Sequence, residues 1–197
     1  MPKNKKIVIG LIGEKGSGKG TVADYLIVKH RAAHYGTSKI LKRTIDDLSL
    51  PATRNNLIKL ALVLREGFWP SVVIDAMMND MEKSDADIII ADGIRMHGDA
   101  EPFKKKYKNN FYLIYVTAPI KLRYQRTKKR KEKAGEDKTT FEQFLNEETR
   151  LTEICVHEIG ARADFTIENS GEEKELIIKI DTIMRKILKK LSLIKPI

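Results

Sequence analysis

Residues 13–21 read G-E-K-G-S-G-K-G-T. Gly13, Gly16, Gly18 and Gly20 leave room for backbone N–H groups to turn inward around an anion. Lys19 brings a positive charge to the same place, and Lys15, Ser17 and Thr21 add an ammonium and two hydroxyls. An apolar run precedes this loop and a helical pattern follows it, so the positive end of a helix faces the oxygens that the loop would hold. The chemistry of such a set is phosphate binding. The spacing from Gly13 to Gly18 and Lys19 is that of the Walker phosphate loop, with Gly20 where Ser or Thr usually stands and Thr21 one residue later. Thr21 therefore reaches a Mg2+ ion either directly or through a water molecule.

Further along the chain, other residues offer matching chemistry. Asp92 ends an apolar run and opens D-G-I-R. A carboxylate at a strand end beside a phosphate loop is a natural metal anchor, and the alternative is a polar strand terminus. Arg123, Arg126 and Arg130 are spaced i, i+3 and i+7 and share one helix face, where guanidinium groups can meet a transferring phosphoryl group or simply stay solvated. Arg54 and Arg65 lie within a stretch that ends in Phe68 and Trp69, which can stack on a base, although burial is expected for at least one of them. His30, His34, His97 and His157 lack metal-ligand spacing, and Cys155, the single cysteine, reads as a small buried apolar group.

These residues need elements to position them. Strand patterns cover 6–12, 33–37, 87–92, 112–117 and 164–168; helical patterns cover 20–31, 39–48, 53–66, 70–83, 99–108, 119–133, 139–158 and the C-terminal stretch. Val22, Tyr25, Leu26 and Val28 are the expected apolar contacts of the first helix. Asp99 is expected to cap one helix and Ser170 the last, whose inner face carries Leu176, Ile180, Ile183, Ile187 and Leu191. Continuous apolar strands alternating with helices imply a five-stranded parallel sheet covered on both faces, a three-layer αβα domain. Ligands of such sheets bind at the carboxyl ends of the strands, just after Ile12, Ile90, Val116 and Ile167.

The G-K-G-T form of the loop resembles the nucleoside monophosphate kinases among P-loop proteins, which include adenylate kinases. D-G-I-R is similar to their D-G-x-x-R, one residue shorter. That resemblance gives Asp92 the metal's water shell and Arg95 the acceptor phosphate. The basic helix resembles their lid helix, with 131–140 as a short lid and Arg150 returning from its far side. A-D-F-T-I-E-N-S-G, Ala163 to Gly171, is similar to the segment after the last strand of dephospho-coenzyme A kinases, and it implies that Asn169 lies near the adenine of ATP. Pro51 to Trp69 looks more like phage deoxynucleoside monophosphate kinases and archaeal adenylate-kinase-like proteins, which implies a helical acceptor-binding insertion over 38–84 with Arg54 and Arg65 on the acceptor phosphate.

The implied activity is Mg2+-assisted transfer of the γ-phosphoryl group of ATP to a nucleoside or deoxynucleoside monophosphate, with dephospho-coenzyme A as the other acceptor considered. Lys19, Asp92, Arg126 and Arg130 would carry the chemistry. The loop from Gly13 through Thr21, together with Asn169, would hold ATP; Arg54, Arg65, Arg95 and Arg150 would hold the acceptor.

Composition narrows the classes. The 197 residues are 42% hydrophobic and 32% charged, an ordinary globular composition, and one cysteine forms no disulfide framework. The longest apolar run, Ile7 to Gly13, is far short of the ~20 residues of a membrane helix. The basic start before it lacks a small-residue cleavage site, so a cytoplasmic protein is expected. Net charge is +10, and residues 104–133 hold 12 Lys/Arg against Glu132 alone. A field so concentrated points to an anionic partner: a nucleotide, another phosphorylated small molecule, or a nucleic acid served by a P-loop NTPase.

Overall fold

The computed structural model describes residues 6–130 and 139–192. Of the expected lid, 131–138 fall outside them.

The described chain runs β1 (Ile7–Gly13), α1 (Lys19–His30), β2 (Ala33–Gly36), α2 (Thr37–Asp47), α3 (Arg54–Gly67), α4 (Val72–Glu82), β3 (Ile88–Asp92), α5 (Glu101–Tyr107), β4 (Phe111–Thr117), α6 (Ile120–Arg130), α7 (Phe141–Glu148), α8 (Leu151–Gly160), β5 (Phe165–Glu168) and α9 (Glu173–Ser192). The five strands are parallel in the order β2-β3-β1-β4-β5. β1 is central, so the loops leaving β1, β3 and β4 open side by side at one edge.

Period-two alternation makes the two faces. Ile7, Ile9 and Leu11 of β1, Ile88 and Ile90 of β3, and Tyr112, Ile114 and Val116 of β4 pack under α1 and α9. Val8 and Ile12, Ile89 and Ala91, and Phe111, Leu113 and Tyr115 face the other way, against α2, α4, α5 and α8. The expected inner face of α9 is buried at Leu176, Ile180, Ile183 and Ile187; the side chain of Leu191 falls outside what is described. The expected three-layer architecture is the one observed.

Several local expectations are corrected. Val28 is 82% exposed; Ala23 takes the buried place beside Val22 and Leu26. The helix expected over 139–158 is two helices, broken at Thr149 and Arg150, and α7 starts from a capping box between Thr140 and Gln143. Asp99 does not cap α5, which begins beyond Ala100. Its carboxylate instead accepts the N–H groups of Arg95 and Met96, both at 2.9 Å, and so folds the loop after β3 back on itself. Ser170 does not cap the last helix, which starts at Glu173. Phe68 and Trp69 both stay substantially exposed, edge to face with one another.

Candidate active site

The phosphate loop joins the buried end of β1 to the first turn of α1. Gly16 and Gly18 have φ of 79° and 96°, a region open to glycine at little cost. Space reinforces the choice, because a Cβ on Gly16 would strike the Arg123 carbonyl and one on Gly18 would strike the Asn169 amide. Ser17 is fully buried, and its Oγ has no hydrogen-bond partner among the described residues. Asn169, 7% exposed, donates from Nδ2 to the Ser17 carbonyl at 2.9 Å, so the segment after β5 touches the loop directly. Gly20 and Thr21 lie exposed in the first turn of α1, with Gly13 buried at the end of β1.

Lys19 reaches Asp92 at the end of β3, with Nζ at 2.9 and 3.1 Å from the two carboxylate oxygens. His34 of β2 stands 3.6 Å from the same carboxylate. Burial opposes ionisation of Asp92, yet neighbouring His34 and the charge of Lys19 outweigh it and hold the carboxyl well below the usual range. The D-G-I-R aspartate and the loop lysine, 73 residues apart, therefore form one site.

The basic helix α6 divides into two roles. Arg123 is 3% exposed and clasps both oxygens of Glu148 at 3.0 and 2.6 Å, while donating to the carbonyls of Ala118 and Lys15. It braces the loop and is not presented to a ligand, which corrects the expectation that three arginines share one open face. Arg126 donates to the Asn169 carbonyl at 2.9 Å, beside the loop. Arg130 closes α6, and its side chain is outside what is described.

The four arginines expected on the acceptor side are each placed. Arg65 pairs with buried Asp99 at 2.8 Å, Arg95 with buried Glu153 at 3.4 Å, and Arg54 with Glu147 at 3.5 Å. Arg150, at the break between α7 and α8, lines a pocket of about 320 Å³ with Thr139, Gln143, Asn146 and Glu147. Lys15 joins this group through Glu147 at 3.2 Å. Lys15 and Arg54 thus meet on one carboxylate, with Arg150 lining the same pocket, whereas Arg65 and Arg95 sit around the loop after β3.

One cluster was not anticipated. Glu14, 3% exposed in the phosphate loop, accepts the hydroxyls of Tyr115 and Thr117 from β4, and His157 of α8 lies 3.4 Å away. Burial and the Glu14 hydrogen bond drive the Tyr115 hydroxyl well above its ordinary range. The one sequence signal for this cluster was an acid inside a glycine-rich loop directly after an apolar strand.

Comparisons with known proteins bear on the family and the fold. A family model described as an AAA domain matches residues 12–144. A UPF0200/UPF0201 protein of Archaeoglobus fulgidus is 27% identical over 200 residues; the match covers 94% of this chain and 57% of that protein. A UPF0200 protein of Saccharolobus islandicus is 26% identical over 183 residues, covering 92% and 94% of the two chains. Among solved structures, TT1252 from Thermus thermophilus superposes with a TM-score of 0.62 at 19% identity, covering 92% of this chain and 97% of that one. A shikimate kinase from Bacteroides thetaiotaomicron gives 0.60 at 10% identity, covering 92% and 98%.

Proposed function

We propose, from the premise that the chain belongs to the AAA domain family of P-loop kinase-like proteins, that it transfers the γ-phosphoryl group of ATP to a small phosphorylated acceptor, with a nucleoside or deoxynucleoside monophosphate as the first choice. One observation carries the reading: Lys19 of the glycine-rich loop and Asp92 of the neighbouring strand end meet at 2.9 Å, at the carboxyl edge of a parallel sheet.

The residues fit the groups that the reading requires. An ionised Asp92 and the orphaned, buried Ser17 hydroxyl lie at the loop where a metal and phosphates would be held. Asp92 and Thr21 would hold Mg2+. When bound, Mg2+ neutralises phosphate charge and orients the reacting oxygens. Gly13, Lys15, Gly16, Ser17, Gly18, Lys19, Gly20 and Thr21 would cradle the phosphates, with Asn169 on the nucleoside side. Lys19 would exchange Asp92 for the transferring group and stabilise its growing charge. Arg126 and Arg130 would face that group from α6. Arg54, Arg65, Arg95 and Arg150 would bind the acceptor, with 38–84 as the acceptor-binding insertion and 131–140 as a lid.

A phosphate acceptor needs arginine clamps and no base. A second reading is a hydroxyl acceptor, as in dephospho-coenzyme A, for which the ionised Asp92 at the strand end beside the loop would take the hydroxyl proton. Incubation with ATP and Mg2+ against a panel of nucleoside monophosphates, their deoxy forms, dephospho-coenzyme A and shikimate tests both. ADP release that depends on a nucleoside monophosphate supports the first reading. Dependence on dephospho-coenzyme A or shikimate overturns it in favour of the second.

A further inference from the structure

Among the described residues, the phosphotransfer reading leaves one mixed cluster of side chains unused. Where the loop after β3 meets α8, His97, Cys155 and Glu158 bring their ligand atoms within 4.8 Å of one another. Cys155 and Glu158 are spaced i, i+3 on α8 and so share a face of that helix. His97 stands 61 residues before Glu158, so no spacing in the sequence marks the set. The turn that carries His97 is fixed from within. Asp99 accepts the N–H groups of Arg95 and Met96 and donates its own N–H to the Met96 carbonyl at 3.0 Å. Arg95 reaches Glu153 of α8 at 3.4 Å, which ties the turn to the same helix independently of His97.

The chemistry of this set is that of a metal site. A thiol, an imidazole and a carboxylate have in common that each is an ordinary ligand of Zn2+. His97 Nε2 and Glu158 Oε2 face each other at 2.6 Å, so a proton lies between them where an ion would be held. Cys155 lies below this exposed pair, 2% exposed itself, and belongs to neither apolar layer of the fold. Two ligands of one tetrahedral Zn2+, with bonds of ~2.0–2.3 Å, stand about 3.4 Å apart. The His97–Glu158 pair has to open, and the thiol to close, by about 1 Å or less each on that scale. Both exposed side chains have the rotamer freedom to supply it. Without an ion, an exposed His–Glu pair contributes little to stability and makes no use of the thiol beneath it.

We propose that His97, Cys155 and Glu158 form a Zn2+ site, separate from the Mg2+ proposed at Asp92, with water as the fourth ligand. Binding puts the ion in place of the proton between Nε2 and Oε2, and the Cys155 thiol gives up its proton to solvent. The ion then links the loop that follows Asp92 to α8. Thiolate and imidazole set this site apart from a Mg2+ site, which takes oxygen ligands.

Titration of the untagged full chain with Co2+, followed by absorption, tests this. Cys155 is the single cysteine, so a thiolate-to-cobalt charge-transfer band in the near ultraviolet reports on this site alone. Wild type is expected to develop the band, and excess Zn2+ should abolish it. Cys155→Ala should remove the band. His97→Ala and Glu158→Ala should each weaken Co2+ binding by about tenfold or more. These two residues are exposed, so their variants test the site even where Cys155→Ala fails to fold. His157→Ala, on the part of α8 that meets Glu14, should leave binding within about twofold. No band in wild type overturns the proposal, as does a band that excess Zn2+ leaves in place. A band indifferent to His97→Ala and Glu158→Ala, or weakened as much by His157→Ala, overturns it as well.

Discussion

The partner of each cation near the phosphate loop predicts what its loss does. Lys19 is held by Asp92, an acid that Mg2+ would claim, and on the proposed reading it would then follow the phosphoryl group. Lys19→Ala should lower kcat/KM by on the order of 10²-fold or more in the acceptor-dependent assay. Arg123 is different, because it is buried against Glu148 with both oxygens engaged. Arg123→Ala leaves that carboxylate uncompensated and should cost about 3–5 kcal/mol of stability, read from denaturant unfolding. Arg126→Ala should instead cut kcat by about tenfold while the fold holds. Lys128, exposed over the Tyr124 ring, is the contrast: Lys128→Ala should move kcat less than about twofold. Equal losses at Arg126 and Lys128 would mean that α6 acts through net charge alone. The loop was legible because its chemistry is written in consecutive residues. The acids were not. Lys15 and Glu147 are 132 residues apart, and nothing local marks Glu147, Glu148 or Glu153 as the partners of particular cations.

At the scale of elements, α7 and α8 do more than the sequence indicated. Thr149 and Arg150 carry neither glycine nor proline, so periodicity ran straight through a break that turns Glu147 and Arg150 toward the same pocket. The capping box at Thr140, by contrast, is a local signal, and Thr140→Ala should destabilise by about 0.5–2 kcal/mol in thermal or denaturant melts. The tie from Glu147 to Lys15 and Arg54 also carries a pH dependence. The folded carboxyl titrates below its unfolded value, about 4.3. The tie therefore stabilises fully above that value and is lost as pH falls through the folded one. Urea midpoints of wild type and Glu147→Gln should differ at pH 7 and draw together as pH falls below about 4.3. A difference that does not shrink on acidification would remove the carboxylate charge from the explanation. Elsewhere, the strands were readable because a sheet covered on both faces makes each strand apolar throughout. Val28, Phe68 and Trp69 depart from expectation because apolar type alone does not decide burial: Val28 falls on the outer face of α1, and Phe68 and Trp69 fall in the connection between α3 and α4.

Across the whole molecule, two apolar layers lock β1 between β3 and β4 and so fix the distance between the loop and Asp92. Packing of this kind makes the site rigid on the sheet side, while Glu147 joins Lys15 of the loop to Arg54 of α3. Among the described residues, the charge of 104–130 falls on α5, on Lys108 just after it and on α6, and α6 brings Arg123 and Arg126 to the phosphate loop. The central claim is that this edge moves a phosphoryl group from ATP to a small phosphorylated acceptor. Following γ-labelled ATP with Mg2+ and a nucleoside monophosphate, by separation of the labelled products, tests it most directly. Label should appear on the acceptor in wild type and fall by on the order of 10²-fold in Lys19→Ala. Label released only as inorganic phosphate, or transfer undiminished in Lys19→Ala, would contradict the account.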